Sequence, residues 1–313
     1  MDWADVENVD FDVVVATCGY ESRAPYVISR LRSTPVTLIV FDYECAGAHS
    51  YDKNRTYFEG LPYTNLLSLK DRDLPGKLVE ALEHSRLSVT DDRPLRILFD
   101  VSSCSRSVMA QALLTLAAYR GRQFELTCAY ALSAFDGAPE GELPSSVSEP
   151  VIGDLSGWSD DLSKPPCAVI SLGFEPGRAL GTIDYLEVPE VRLFMPQGPD
   201  PRFENSVRKA NALLIQEAGE NAVLPFDVLQ PESTFQKLES LVFGLLPRFR
   251  PVIIPLGPKI FSAISMVLAI RMFPQVCVWR TSSGSGEETI DRGAGGAIAV
   301  FRASPLRLPD PSV

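Results

Sequence analysis

The sequence predicts an α/β protein made of two tandem Rossmann-like units, each with three layers around a parallel sheet. Three observations support this class. Strand-length runs of Val, Ile and Leu alternate with segments of helical periodicity, the pattern of strands buried on both faces. The same order of segments occurs twice, on either side of a Gly-, Pro- and Ser-rich stretch at 136–166. The 313 residues also suffice for two domains of about 150 residues each.

The first predicted unit spans residues 1–135. Its strands are predicted at 11–17, 36–41, 65–69, 95–100 and 124–132. Its helices are predicted at 22–32, 52–60, 74–86 and 105–120. Because the strands are almost continuously apolar, we expect helices on both faces of the sheet.

The second predicted unit spans residues 167–303 and follows a linker at 136–166. Its strands are predicted at 167–172, 191–195, 222–226, 251–256 and 275–281, with an added strand at 296–302. Its helices are predicted at 177–187, 203–218, 232–246 and 259–272. The tail at 304–313 is rich in proline, so we expect an edge or disordered extension there.

Two loops recur at matching distances in the two units. GYESR begins at Gly19, after the first strand, and GFEPGR begins at Gly173. The loop after the fourth strand begins at Ser102, 83 positions after Gly19, and at Gly257, 84 positions after Gly173. The two units agree in the order of their elements, in the spacing of these loops and in the loop sequences, which predicts an internal duplication.

Composition and charge exclude several classes of protein. Apolar residues make up 45% and charged residues 22% of the chain, as in ordinary globular proteins. The net charge of −11 argues against non-specific binding to duplex DNA. The N-terminus lacks a secretory signal pattern and no run of 18 apolar residues occurs, so we expect a cytoplasmic protein that does not span a membrane.

Metal and cofactor motifs are absent from the sequence. The six cysteines form no CxxC pair and there are only two histidines, so no metal site is predicted. Neither GxGxxG nor GxxxxGK[ST] occurs, and no cofactor is predicted. Cys104 lies in a polar loop before a helix, where a thiol can have a lowered pKa, although most loop cysteines are inert.

The repeated loops carry the candidate ligand-binding residues. In an open parallel sheet, ligands bind outside the carboxyl ends of the strands, where helix N-termini offer free N–H groups to an anion. After the first strand, each repeat has a Gly, a Glu and an Arg: Gly19, Glu21, Arg23, Gly173, Glu175 and Arg178. After the fourth strand, small residues precede a cation: Ser102, Ser103 and Arg106 in one repeat, Gly257 and Lys259 in the other.

Other interpretations of these residues stay open. Glu21, Glu175 and Asp100 are the candidate catalytic carboxylates if the site is an enzyme's. The same loops are also compatible with ordinary helix caps, in which the Glu complements the helix dipole. The basic clusters at 53–55 and 208–209 either face the strand ends or lie on a solvated helix surface.

In architecture the chain resembles the CARF and SAVED sensor domains of prokaryotic antiviral systems. The residues that carry the resemblance are GYESR at 19–23, GFEPGR at 173–178, SSCSR at 102–106 and GPK at 257–259. The resemblance covers almost the whole chain. It implies paired Rossmann-like units that bind a nucleotide or cyclic oligonucleotide at their strand ends. No effector domain is recognisable in the sequence, so the resemblance also implies a separate protein partner.

Three functions therefore remain. The first is a binding module for an anionic, nucleotide-like ligand in a cleft between the two units, acting in defence or signalling through a partner protein. The second is a nucleotide- or nucleic-acid-processing enzyme of the hydrolase or glycosidase type that uses the same cleft. The third is a structural subunit of a multiprotein defence complex.

Overall fold

The computed structural model describes residues 1–69, 74–88, 93–137, 147–157, 161, 163–282 and 289–308. The chain divides into two compact units. The first comprises Met1–Ala134 together with Thr289–Leu308, and the second lies within Phe135–Glu288.

Within its described residues, the first unit contains a six-stranded sheet and five α-helices. Its strands are β1 (Val13–Cys18), β2 (Thr37–Asp42), β3 (Thr64–Ser68), β4 (Leu95–Asp100), β5 (Phe124–Ser133) and β12 (Ala294–Arg302). Its helices are α1 (Trp3–Val6), α2 (Tyr26–Arg30), α3 (Tyr51–Glu59), α4 (Leu74–Ser88) and α5 (Arg106–Ala118). The strand order is β12-β5-β4-β1-β2-β3, parallel throughout except that β12 runs antiparallel to β5.

Helices cover both faces of this sheet, as the apolar strands require. Every residue of β1 is buried. On one face, Val14 and Ala16 of β1 pack in a cluster with residues of α1, α2 and α3. On the other face, α4 packs against α5 as well as β2 and β3. Strands buried on both faces gain from continuous Val and Ile runs, which explains the composition of β1.

The second unit repeats the architecture. Its strands are β6 (Val147–Pro150), β7 (Pro166–Ser171), β8 (Glu190–Gln197), β9 (Val223–Asp227), β10 (Arg250–Pro255) and β11 (Cys277–Ser282). Its helices are α6 (Arg178–Leu186), α7 (Pro201–Ala210), α8 (Ala212–Ala218), α9 (Pro231–Leu245) and α10 (Lys259–Arg271). The strand order is β6-β11-β10-β7-β8-β9, and β6 runs antiparallel to β11.

The two sheets therefore have one topology. In each, the five parallel strands have the order 5-4-1-2-3 and an antiparallel strand closes the edge beside strand five. Helices α6, α7 and α8 contribute to the core on one face of the second sheet. The rings of Phe194 on β8, Phe226 on β9 and Phe261 on α10 pack against one another. The predicted class, two tandem Rossmann-like α/β units, is confirmed, and the shared topology is what an internal duplication requires.

The pairing of the edge strands differs from the predicted domain organisation. The strand predicted at 296–302 was expected to extend the second unit, but β12 belongs to the first sheet, where Ile298 and Val300 join its core. The stretch 136–166 was expected to be a linker, yet it supplies β6 to the second sheet. Thus the strand that follows strand five of each repeat closes the sheet of the other unit. Hydrophobic periodicity identifies a strand but does not specify its pairing partner.

Two further differences concern a helix and the tail. The predicted helix at 203–218 is broken into α7 and α8 at Asn211, which has a role in the site described below. In the tail, Leu306 is buried at 2% exposure and the Ser304 hydroxyl accepts a hydrogen bond from Leu126 N at 2.5 Å. The remainder, 309–313, lies outside the described residues. Among the described helices, none combines the length and hydropathy that crossing a membrane demands.

We expect Val300→Ala to loosen the first sheet and leave the second unchanged. Val300 is 1% exposed, so removing its two methyl groups should lower the free energy of unfolding by roughly 1–3 kcal/mol. Native-state hydrogen exchange should show faster exchange in Phe124–Ser133, the partner of β12. Faster exchange confined to Cys277–Ser282 would instead assign the strand to the second unit.

Candidate functional site

In both units the loops after strands one and four lie together at the carboxyl edge of the sheet. Strand one pairs in parallel with strand four in each case, as β1 with β4 and β7 with β10. We call residues 19–23 with 101–106 the first corner, and residues 173–178 with 256–259 the second corner. Each corner brings together loops that are far apart in sequence.

The Glu and Arg of the first corner form a buried ion pair. Arg23 is 3% exposed, and its Nε donates to Glu21 Oε2 at 3.0 Å. Its Nη1 donates to the carbonyl oxygen of Ala131 at 2.8 Å. Burial opposes the charge, but Tyr130 and Glu21 hold the Arg23 pKa above its ordinary value. Arg23 is thus held by groups of the protein itself.

Asp100 and Ser102 are also engaged within the protein. The Ser102 hydroxyl donates to Asp100 Oδ1 at 2.5 Å and accepts from Ala131 N at 2.8 Å. The same carboxylate oxygen accepts from Ser102 N at 2.9 Å. Ser103 donates to Glu21 Oε2 at 3.3 Å, which joins the two loops. Asp100 therefore accepts hydrogen bonds from the turn that follows β4.

Protein groups likewise satisfy the start of α5. The Ser105 hydroxyl caps this helix by accepting from Val108 N at 3.3 Å, and Ser105 N donates to the Tyr43 hydroxyl at 2.6 Å. Arg106, the first residue of the helix, is partly exposed. Cys104 is fully buried, whereas a reactive thiol in this loop would have to be accessible.

The Asp291 carboxylate lies against the first corner. Asp291 Oδ1 accepts from Ser22 N at 2.6 Å, and Asp291 Oδ2 accepts from the Ser50 hydroxyl at 3.0 Å. His49 Nε2 lies 2.7 Å from the carbonyl oxygen of Thr289, which fixes the same segment. Asp291 lies 269 positions from Ser22, so no sequence pattern connects them.

At the second corner, the backbones of the two loops approach each other closely. A Cβ at Gly257 would lie 2.5 Å from Leu172 O and 2.6 Å from Ser171 Oγ. A Cβ at Gly173 would lie 2.4 Å from Glu175 Oε2 and 2.9 Å from the carbonyl oxygen of Leu256. Real Cβ atoms do not approach other atoms so closely, so both positions require glycine.

Two buried hydroxyls beside the second corner lack hydrogen-bond partners among the described residues. Ser171 Oγ and Ser262 Oγ are completely buried, and no described residue forms a hydrogen bond with either. Ser171 Oγ faces Gly257, two positions before the start of α10, and Ser262 lies in the first turns of that helix. Buried hydroxyls without a partner are unusual and call for an explanation.

The two helices that begin at the second corner have no side-chain cap among the described residues. Gly177, with φ of +75°, precedes α6, and Pro258 precedes α10. Each helix begins with a cation: Arg178 is 7% exposed and Lys259 is partly exposed. Glu175 is partly exposed as well. The corner thus combines uncapped helix N-termini, cations and buried hydroxyls, which together favour an anionic ligand.

Two asparagines that the sequence analysis missed fix the loops after strand one. Asn54 Nδ2 donates to Gly19 O at 2.9 Å and to Glu21 O at 2.8 Å. In the second unit, Asn211 Nδ2 donates to Gly173 O at 2.8 Å. The available signal was an Asn in or beside each basic cluster, but the spacing from the glycine differs, 35 positions against 38.

The basic clusters contribute ion pairs on the helices. Arg55 contacts Asp42 at 3.3 Å and Glu59 at 2.8 Å. Arg208 contacts Glu220 at 3.4 Å. Arg208 and Glu220 are both exposed, as on a solvated helix surface. Asp42 is the buried last residue of β2, so Arg55 reaches the carboxyl edge of the first sheet.

No group of three or more His, Cys, Asp or Glu side chains that could hold a metal ion occurs in the described part of the chain. All six cysteines are free thiols, and five are buried. Burial raises the pKa of Cys128 to about 12, so this thiol stays protonated at neutral pH.

No family model matches the sequence, and no curated protein matches it. Among solved structures, the chain is similar to phosphoethanolamine N-methyltransferase 1 of Haemonchus contortus in complex with phosphoethanolamine and S-adenosylhomocysteine. The sequence identity is 10%, the coverage is 86% of this chain and 74% of the methyltransferase chain, and the TM-score is 0.26. So low a TM-score carries no argument about function.

We expect Gly257→Ala to destabilise the protein, because its Cβ would collide with backbone and hydroxyl oxygen at the second corner. The free energy of unfolding should fall by roughly 1–3 kcal/mol in urea titrations. Gly198→Ala is the matched control, since a Cβ there meets nothing within 4 Å. Equal effects of the two substitutions would contradict the close approach.

We expect Glu21→Gln to cost about 3 kcal/mol of stability, because it leaves Arg23 charged and buried beside a neutral group. Glu59→Gln serves as control, since Glu59 pairs with Arg55 at 49% side-chain exposure and should contribute less than about 1 kcal/mol. Urea denaturation of both variants measures the difference. A Glu21→Gln variant as stable as the parent would rule out a structural ion pair.

Proposed function

We propose that the protein binds an anionic, nucleotide-like ligand at the second corner and acts as a binding module in defence or signalling. The observation that carries the proposal is Ser171 Oγ, a fully buried hydroxyl with no partner among the described residues, which faces the loop that leads into α10. A ligand that accepts a hydrogen bond from this hydroxyl would offset the cost of burying it.

The contrast between the corners supports the second one. At the first corner Ser102 Oγ forms two hydrogen bonds and the Ser105 hydroxyl caps α5. The backbone N–H of Ser22 donates to Asp291. At the second corner Gly257 stands in the place of Ser102, and no described side chain caps α10. The Ser102 hydroxyl therefore has hydrogen-bond partners within the protein, whereas Ser171 Oγ has none among the described residues.

The chemistry of the second corner suits phosphate. Helix N-termini stabilise negative charge through their backbone N–H groups and dipole, and α10 is long enough at 13 residues to contribute. Lys259 at its first position adds a cation. The Gly257 N–H donates to the carbonyl oxygen of Ser171 at 3.0 Å, so it is not one of the groups that would hold the ligand. A phosphate group would use the N-terminus of α10 and Lys259.

A role as a sensor that acts through a partner protein is the part of this proposal that rests on the resemblance to CARF and SAVED domains. The enzyme alternative draws less support, because Glu21 and Asp100 already have partners within the protein. Glu175, partly exposed at the second corner, is the carboxylate on which that alternative would depend.

Ser171→Ala and Ser102→Ala form a matched pair that tests the proposal. We expect Ser171→Ala to raise the free energy of unfolding by about 1 kcal/mol without ligand, because it removes an unsatisfied buried hydroxyl. Ser102→Ala should lower it by roughly 1–3 kcal/mol, because it leaves buried partners unpaired. Urea titrations measure both values.

Binding is then measured by calorimetry with pyrophosphate as the probe. The parent should bind it, Ser171→Ala should weaken binding several-fold and Lys259→Gln more strongly, while Arg55→Gln in the first unit should leave it unchanged. At a hundred times its Kd, pyrophosphate should stabilise the fold by about 2.7 kcal/mol. Absence of binding, or equal weakening by Arg55→Gln, would refute the site and leave the structural-subunit alternative ahead. Consumption of the probe would favour the enzyme.

A further inference from the structure

One carboxylate of the second corner, that of Glu175, is without a partner among the described residues. The side chain is partly exposed, and neither a hydrogen bond nor an ion pair connects it with another residue in that part of the chain. Its counterpart in the first unit is Glu21, which accepts from Arg23 Nε at 3.0 Å and from the Ser103 hydroxyl at 3.3 Å. The same position of the repeat thus carries a carboxylate with two donors in one unit and with no described donor in the other.

Two sequence differences explain why Glu175 does not have the partners of Glu21. At the position equivalent to Ser103, the second unit has Pro258, whose side chain offers no hydrogen-bond donor. The arginine of the loop lies three positions after the glutamate, against two in the first unit, and begins α6 as Arg178. Neither donor of the first corner is therefore reproduced beside Glu175.

The Glu175 carboxylate lies where the two loops of the second corner meet. Its Oε2 is 2.4 Å from the position that a Cβ would take on Gly173, and the carbonyl oxygen of Leu256 is 2.9 Å from the same position. On the facing loop, Gly257 lies equally close to the buried hydroxyl of Ser171. The carboxylate and the hydroxyl thus lie against the two glycines at which the loops touch.

A phosphate at this place would meet a negative charge as well as the cation at the start of α10. Two negative groups at close range repel each other unless a cation lies between them. Mg²⁺ suits this role, because proteins commonly hold it through one or two carboxylates together with the phosphates of a ligand, and water completes its coordination. A site of this kind needs only one protein carboxylate, so it does not require the three-residue cluster that is absent from the described residues.

We infer that the ligand of the second corner binds as its magnesium complex, in which the divalent cation bridges a phosphate of the ligand and the carboxylate of Glu175. The inference rests on the proposed function and adds a metal ion to it. The Ser171 hydroxyl and the N-terminus of α10 hold the phosphate, and Glu175 holds the ion. In the first unit the guanidinium of Arg23 already neutralises Glu21, so we expect no ion there.

Calorimetry with pyrophosphate on the full chain, in excess MgCl₂ and in EDTA, tests the bridging ion. The parent should bind pyrophosphate about 10-fold or more tightly with magnesium than without it. Glu175→Gln should lose that advantage, because it removes the charge that the ion neutralises. In EDTA this variant should bind several-fold more tightly than the parent, since the repulsion is gone. Glu217→Gln, at an exposed glutamate on α8, is the matched control and should keep the parent's response to magnesium.

The outcomes separate this inference from the proposed function. If the parent binds pyrophosphate equally well in MgCl₂ and in EDTA, the bridging ion is wrong and the phosphate site stands. If magnesium strengthens binding to Glu175→Gln as much as to the parent, the ion is held by pyrophosphate alone, and the role of Glu175 is overturned. If pyrophosphate binds under neither condition, the proposed function itself fails.

Discussion

The parallel pairing of strand one with strand four is the constraint on which the rest of each unit depends. It forces two turns to share one edge of the sheet, where their backbones must either touch or be separated by polar side chains. In the second unit the turns touch, and only glycine fits at 173 and 257. In the first unit Ser103 and Glu21 connect the turns. One topology thus supports two different solutions.

The two solutions differ in how they satisfy buried polar groups. The first corner encloses a charged pair, Arg23 and Glu21, which is tolerable in the interior only because further acceptors complete the guanidinium's hydrogen bonds. The second corner has no comparable network around Ser171 among the described residues. A buried hydroxyl without a partner carries a desolvation cost, so the two corners differ in how well their buried hydroxyls are satisfied.

Closure of the first sheet and occupation of the first corner are connected. Asp291 and Thr289 immediately precede β12, the strand that covers the edge beside β5. The segment that removes an unpaired sheet edge therefore also delivers a carboxylate to the N–H of Ser22.

The sequence by itself determined the fold class, the five parallel strands of each unit, most of the helices and the loops in which the corners lie, because hydrophobic period and strand-end glycines are local signals. The spacing from the glycine after strand one, 83 positions in one repeat and 84 in the other, also identified Gly257 as the counterpart of Ser102. Tertiary structure alone decided that Arg23 faces Ala131, that Asp291 reaches Ser22, and that β12 joins the first sheet. Those facts depend on hydrogen-bond partners distant in sequence, and strand pairing and buried-charge pairing are set by packing in three dimensions.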